Sequence, residues 1–209
     1  MQDEYRKTME IYNRNVSHFE EKLASFDWGK QIDRFVSGLK GRKILDAGCG
    51  TGRDVGEFIK RGLLAEGLDY SAENIRLSRR KYPGVVFHEG DLMKMNLPDN
   101  GYDGLWCCAS LLHIKKQDAP GVLNEFRRVL KPGGKLFISV KEGAGEKMVS
   151  DEAGERFFSF YRAGELKGKV SEAGFRVYFT EKIPHASILA KAQPTQKKPG
   201  WVCVFAEKP

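Results

Sequence analysis

The stretch Asp46-Ala-Gly-Cys-Gly-Thr-Gly52 places three glycines in five positions, directly after the apolar run Lys43-Ile44-Leu45. Val55, Phe58 and Ile59 follow at helical spacing, and Gly62 closes the run. A short buried strand, a glycine loop and a helix in succession put the loop at the C-terminal edge of a parallel sheet. Ligands of open α/β sheets bind there, beside the point where strand order reverses. Glycine permits tight turning and lets a ligand approach backbone amides at the helix start, although such a loop could also serve the turn alone.

The rest of the chain repeats the alternation. Leu63 to Asp69 reads as a second strand, and Ser71 as the N-cap of a helix running through Ile75 to Tyr82, stopped by Pro83-Gly84. Val85-Val86-Phe87 reads as a third strand and Tyr102 to Ser110 as a fourth. Val122, Leu123, Phe126, Val129 and Leu130 mark one helical face, Pro132-Gly133-Gly134 breaks it, and Lys135 to Val140 forms a fifth strand. A helix from Glu165 to Ala173 precedes two further strands, Phe175 to Thr180 and Trp201 to Ala206, with no firm helix in between. Alternation of this kind predicts an α/β fold: a Rossmann-like three-layer sandwich with a mostly parallel seven-stranded sheet and an antiparallel C-terminal edge pair. Residues 1–40 carry Tyr5, Tyr12 and Phe19 at sevenfold spacing and read as a helical segment packed on the domain, with 41–209 as the domain itself.

Two ligand classes use a loop in this position. A nicotinamide or flavin site wants G-x-G-x-x-G, but the third glycine falls on Arg53 counted from Gly48, or on Val55 counted from Gly50. What stands here is D-x-G-x-G-x-G. An acid before the glycines would repel a pyrophosphate and would not repel a cation.

In this respect Asp46 to Gly52 resembles motif I of the class I S-adenosylmethionine (SAM) methyltransferases. Further similarities follow in order. Asp69 closes the second strand, where the family's acid takes the ribose hydroxyls. Gly90-Asp91-Leu92 follows the third, where the family meets the adenine edge. Phe126 to Gly134 resembles the approach to its fifth strand, and Glu172-Ala-Gly-Phe175 the turn into its sixth. The resemblance implies SAM as cofactor and S-adenosylhomocysteine as its product. It places cofactor contacts at Asp46, Ala47, Gly48, Cys49, Gly50 and Gly52, at Asp69 and Tyr70, at Asp91 and Leu92, and at Ala109 and Ser110 after the fourth strand.

Methyl transfer from a sulfonium is an in-line displacement whose leaving thioether needs no acid, so a base is required only where the acceptor has a proton to lose. His113 lies where this family faces donor to acceptor and is the candidate base, or alternatively a strand-end residue that orders the loop. Tyr12 and Arg14, on a segment that often lids the pocket in related proteins, are candidate substrate contacts. Arg156 and Tyr161 are two more, from the aromatic run Arg156-Phe-Phe-Ser-Phe-Tyr161. That run and the final tryptophan strand are similar in layout to tRNA wobble-uridine methyltransferases, although one histidine stands at Leu112-His113 where that group commonly has two. Aromatic rings beside an arginine could stack a base and hold a phosphate, or simply pack an insert.

Composition narrows the remaining classes. A net charge of +7 is spread along the chain apart from the pair Lys197-Lys198, which permits nucleic acid without pointing to it. The four cysteines, Cys49, Cys107, Cys108 and Cys203, form no C-x-x-C pair and have no clustered histidines, so no metal is expected and a reducing, cytoplasmic setting is. No secretory leader and no membrane-length apolar run is read, so no membrane partner is expected. The expected function is methyl transfer to a small molecule. The alternatives are a tRNA methyltransferase and a SAM-binding partner protein without catalysis of its own.

Overall fold

The computed structural model describes residues 3–189 and 199–209; Lys197 and Lys198 lie outside them. Three helices lead the chain, α1 (Asp3–Arg14), α2 (Val16–Ala24) and α3 (Gly29–Ser37). The domain then alternates: β1 (Lys43–Ala47), α4 (Arg53–Lys60), β2 (Leu64–Asp69), α5 (Ala72–Lys81), β3 (Phe87–Glu89), β4 (Tyr102–Cys108), α6 (Ala119–Val129) and β5 (Leu130–Lys141). A hairpin of β6 (Glu146–Asp151) and β7 (Gly154–Ser159) follows, then α7 (Ala163–Glu172), β8 (Arg176–Ile183) and β9 (Trp201–Glu207).

Seven strands form one sheet in the order β3-β2-β1-β4-β5-β9-β8. β1 to β5 pair in parallel, and β9 inserts antiparallel between β5 and β8. The architecture is the Rossmann-like sandwich with an antiparallel edge that the alternation predicts. Strand order reverses between β1 and β4, so the C-terminal ends of β1, β2 and β4 border one crevice.

Several boundaries differ from the sequence reading. β3 begins at Phe87, one residue after Val86, whose carbonyl accepts the Gly67 amide and whose side chain is half exposed. The Pro132-Gly133-Gly134 stretch ends α6 without making a loop. Leu130 already pairs with Tyr102, Gly133 turns at φ +77°, and Lys208 bonds the backbone of both Gly133 and Gly134. The N-terminal segment is broken at Asn15 and again before Gly29, so it is three helices. Arg156 to Ser159 belong to the β6–β7 hairpin, which packs on α1. Ser71 does cap α5, its Oγ accepting the amide of Asn74 at 3.1 Å.

The core and the crevice share side chains. Trp106 on β4 is fully buried and stacks on Phe137 of β5 with centroids 3.7 Å apart, with Phe35 and Phe58 meeting its edges. Its indole N–H donates to Asp54 Oδ2 at 2.8 Å, at the start of α4. The packing that holds the sheet therefore also fixes the helix that follows the glycine loop.

The glycines of that loop do different work. A Cβ on Gly48 (φ +86°) would lie 2.0 Å from Ser110 Oγ, which instead bonds the Gly48 carbonyl at 3.2 Å. A Cβ on Gly50 (φ +54°) would meet nothing within 4 Å. We expect Gly48→Ala to cost about 2–5 kcal/mol, combining left-handed backbone strain with overpacking, and Gly50→Ala about 1–2 kcal/mol from strain alone. Urea unfolding of the two variants checks this; equal losses would mean that the Ser110 approach carries no weight.

Candidate functional site

One cavity of about 180 Å³ occupies the crevice. Its floor is the end of β1 with the glycine loop (Asp46, Gly48, Cys49, Gly50, Thr51), the end of β2 (Leu68, Asp69, Tyr70) and the end of β4 (Cys108, Ala109, Ser110). Its roof is the N-terminal segment: Tyr5, Met9 and Tyr12 from α1, and Val16, Phe19 and Leu23 from α2. The sevenfold spacing of Tyr5, Tyr12 and Phe19 thus survives the break at Asn15, since all three face the cavity.

The loop is strapped to β2. Leu68 O accepts the amides of Gly48 (2.7 Å) and Cys49 (3.0 Å). Asp69 accepts Gly50 N at 2.8 Å through one oxygen, and Ser71 N (2.9 Å) and Asn74 Nδ2 (3.2 Å) through the other. Burial raises its pKa, while the backbone and side-chain donors pull it back. Asp46 differs. It is 2% exposed, lines the cavity, and its carboxylate accepts no hydrogen bond from any described residue. Burial, then the neighbouring Asp54, raises its pKa well above the usual carboxylate range.

Six ionic side chains line the cavity: Glu20, Asp46, Arg53, Asp54, Asp69 and Lys81. Arg53 and Asp54 form a two-pronged pair at 2.7 and 2.9 Å, and Lys81 pairs with Glu20. Arg53 also donates to Leu23 O at 3.0 Å, tying the roof to α4. Asp46 and Asp69 are left without a cationic partner. The electrostatic demand of the cavity is therefore for a positive charge.

The other end is apolar. Phe19, Leu23, Ala24, Phe26, Trp28 and Trp201 wall it, the two indoles meeting edge to face at 5.4 Å. Here Tyr12, His113 and Arg156 converge from α1, from the 3-10 turn Leu111–His113, and from β7. His113 Nδ1 lies 2.7 Å from the Phe157 carbonyl, Nε2 lies 2.8 Å from Tyr12 Oη, and Arg156 Nη1 donates to Tyr12 Oη at 2.9 Å. A carbonyl only accepts, so Nδ1 carries the proton, Nε2 is bare, and the tyrosine hydroxyl donates to it. Burial lowers the His113 pKa from 6.5 to about 3; the hydrogen bond to the Phe157 carbonyl opposes it in part, and the Arg156 charge adds a smaller downward push.

Not every residue singled out from the sequence reaches the cavity. Gly48, Cys49, Gly50, Asp46, Asp69, Tyr70, Leu92, Ala109, Ser110, Tyr12 and His113 line it. Ala47 is a buried strand residue, and Gly52 is the left-handed start of α4, where Tyr82 packs. Asp91 faces an adjoining recess, its Oδ1 on Met93 N at 2.9 Å and on Tyr5 Oη at 3.5 Å. Arg14 is corrected: its side chain is 75% exposed and reaches only Glu10, because it lies on the outer face of α1. Tyr161 is corrected too. It is wholly buried beyond the hairpin, bridged to Glu142, with Lys116 over its ring. Arg156 stands behind the wall, gripping Tyr12 and Asp151. Sequence reasoning missed Arg53, Phe26 and Trp28 as cavity residues: Arg53 directly follows the glycine loop, and Phe26 and Trp28 belong to no motif, whereas Trp201 opens the final tryptophan strand. It also missed Ala109 as a non-glycine at φ +58°, backbone strain held at the end of β4 by two bonds from its amide to Ser139.

Residues 44–134 match the family model described as a methyltransferase domain. Over that stretch, a little under half of its length, the chain is similar to the methyltransferase domain. Among its relatives, a demethylmenaquinone methyltransferase of Chlorobaculum parvum is 32% identical over 139 residues, covering 66% of this chain and 57% of that protein. A sterol 24-C-methyltransferase of Gibberella zeae is 34% identical over 131 residues, covering 52% and 33%. The chain thus spans between a third and three-fifths of the length of these two relatives. Among solved structures, the Burkholderia thailandensis 1,6-didemethyltoxoflavin-N1-methyltransferase, crystallised with S-adenosylhomocysteine, shares the fold with a TM-score of 0.74 at 20% identity, covering 100% of this chain and 91% of that one. Among the described residues no helix is long and apolar enough to cross a membrane, and no group of three metal-ligating side chains is found.

The His113 environment sets a pH dependence within this methyltransferase fold. Its folded pKa lies below the unfolded value, so the unfolded chain binds the extra proton between about pH 3 and 6.5. His113 therefore favours the folded state above pH 6.5, and that advantage is lost as pH falls. Below pH 6.5 we expect wild type to lose up to about 1.4 kcal/mol per pH unit more than His113→Gln. Denaturant unfolding of both proteins between pH 7 and pH 5 measures the difference; parallel curves would refute the buried neutral imidazole.

Proposed function

We propose that the chain transfers the methyl group of SAM to a small, neutral, largely apolar acceptor held under the N-terminal roof. The observation that carries this reading is the division of one cavity into two ends. At the loop end stand the unpaired carboxylates Asp46 and Asp69, with open space beside Gly50. At the other end aromatic side chains form the wall and the ionic groups are already paired with one another.

The residues present fit the cofactor. Asp46, buried and without a hydrogen-bond donor, suits an ammonium group, since an orphaned buried carboxylate gains most from a cation. Asp69 holds the loop amide of Gly50 through Oδ2 and keeps one acceptor site there, enough for one hydroxyl. Leu92, Gly90 and Tyr70 offer apolar and aromatic surface for a flat ring. When bound, SAM supplies an activated methyl on a sulfonium centre. The chain's share is alignment and exclusion of water, for which the roof from Tyr5 to Leu23 is placed.

Two features favour a neutral acceptor. Arg53, which could hold an anion, is committed to Asp54 and Leu23 O. The rings of Phe19, Phe26, Trp28 and Trp201 wall the apolar end of the cavity and offer no charge to an acceptor. The tRNA alternative would use Arg156 for phosphate, but that side chain is buried between Tyr12 and Asp151.

Calorimetric titration with SAM, S-adenosylhomocysteine and NADH tests the cofactor half of the proposal. Micromolar binding of the first two and none of the third is expected; failure of both SAM species to bind would end it. Asp69→Ala should weaken SAM binding at least tenfold, since about 1.4 kcal/mol is a low value for one charge-assisted hydrogen bond. An unchanged affinity in a folded Asp69→Ala protein would remove Asp69 from the site.

A further inference from the structure

We infer that Arg156, Tyr12 and His113 form a proton relay that makes the acceptor end a site for a hydroxyl-bearing molecule, with Tyr12 the residue that touches the acceptor oxygen. The inference rests on the methyltransferase reading above and adds the chemistry of the acceptor atom.

Three elements far apart in sequence supply the relay, and its hydrogen bonds leave one arrangement of protons. Phe157 O fixes the proton on His113 Nδ1, the bare Nε2 takes the Tyr12 proton, and Arg156 donates into the same tyrosine oxygen. The guanidinium is itself held by Asp151, which Lys22 of α2 also contacts at 2.9 Å. Phe19 and Phe158 flank the Arg156 charge, and no other charged group contacts the imidazole among the described residues. A tyrosine on the cavity wall whose proton is committed elsewhere is set to accept a proton as it gives its own away.

The chemistry balances. As the oxygen–carbon bond forms and the carbon–sulfur bond breaks with its electron pair staying on sulfur, the hydroxyl proton passes to Tyr12 Oη. The Tyr12 proton passes in the same motion to His113 Nε2, leaving an imidazolium that releases its proton to water when the roof opens. One positive charge leaves the cavity with the sulfonium as one appears on His113, so the buried net charge is unchanged. His113 is too weak a base to ionise a resting alcohol. An oxygen that is taking on a methyl group becomes a strong acid, however, and a weak buried base suffices for it. An amine reacts through a free lone pair and has no use for the relay before transfer.

The first test needs no acceptor. With ¹⁵N-histidine labelling, and His113→Gln to assign the signal, His113 should be neutral with Nδ1 protonated at pH 7, and Tyr12→Phe should shift Nε2. A protonated Nε2, or an imidazolium at pH 7, overturns the relay. The second test offers radiolabelled SAM with a naphthol, the matching naphthylamine and the matching naphthalenethiol. Label should reach the naphthol, and Tyr12→Phe should lower that kcat about 10²-fold, the usual reach of positioned acid–base groups. In His113→Gln the rate should rise with pH as the acceptor's own ionisation takes over, where wild type is flat from pH 6 to 8. Transfer to the amine or thiol alone, no transfer to the naphthol, or a Tyr12→Phe rate equal to wild type overturns the assignment. S-adenosylhomocysteine titrated into each variant separates the two failures: lost binding in wild type indicts the methyltransferase reading, whereas retained binding with any of those outcomes indicts the relay.

Discussion

The Asp69 carboxylate is the contact on which the site depends. It stands at the end of β2 and accepts from three donors, Gly50 N, Ser71 N and Asn74 Nδ2, so one side chain fixes the glycine loop and the start of α5 together. Leu68 O, one residue earlier, holds the amides of Gly48 and Cys49. With these bonds the loop is wrapped onto its neighbouring strand before any ligand arrives. Burying a carboxylate is unfavourable, as its raised pKa records, and the hydrogen bonds to backbone amides are what make the burial tolerable. Ser110 completes the lock from β4, and it can approach only because Gly48 has no side chain.

Sequence and structure agree where the signal is local. The strand–loop–helix around Asp46, the cap at Ser71 and the alternation of strands and helices all depend on residues within one or two turns of each other, and these were legible. The glycines illustrate the limit. A ligand was the expected reason for all three, whereas Ser110 explains Gly48 and Tyr82 packs against Gly52; only Gly50 leaves open space. Which neighbour fills the room left by a missing Cβ is decided by chain segments some thirty to sixty residues away. Arg14 and Tyr161 lie away from the cavity for a related reason. Each lies close in sequence to a residue that matters, but helix phase turns Arg14 outward, and Tyr161 sits beyond the end of β7 on a bridge to Glu142. Arg156 could be named without its purpose, because its partner Tyr12 lies 144 positions earlier.

The core and the site are mechanically continuous. Trp106 stacks in the middle of the sheet and reaches Asp54 with its indole N–H; Asp54 holds Arg53, and Arg53 holds Leu23 O at the end of α2. A buried ion pair is a weak source of net stability, since desolvation offsets its attraction. What this one provides is position: it links the helix behind the cofactor loop to the roof over the acceptor end. The second attachment, from Tyr12 to His113 and Arg156, lies on the far side of the roof's apolar face. Between these two polar fixings Val16, Phe19 and Leu23 meet the cavity as side chains without hydrogen-bonding groups, which sets no demand on an acceptor beyond its shape and apolarity.

This arrangement explains why similarity to known methyltransferases speaks clearly about one half of the cavity and little about the other. The family match covers residues 44–134, which contain the glycine loop, Asp69, Leu92 and His113. Tyr12, Phe19, Phe26 and Trp28 precede it, and Arg156 and Trp201 follow it. The residues that wall the apolar end of the cavity are therefore drawn almost wholly from segments that lie outside the shared domain. Their effects reach His113 only through packing and hydrogen bonds across the sheet's edge. The imidazole shows the consequence. It is contributed by the shared domain, but its bare Nε2 is set by Phe157 and Tyr12, and its depressed basicity by burial and, to a smaller degree, by the Arg156 charge; none of these three residues belongs to that domain. The same histidine under a different roof would be solvated and would titrate near its ordinary value, so the chemistry available at this position is a property of the whole chain and not of the motif that contains it.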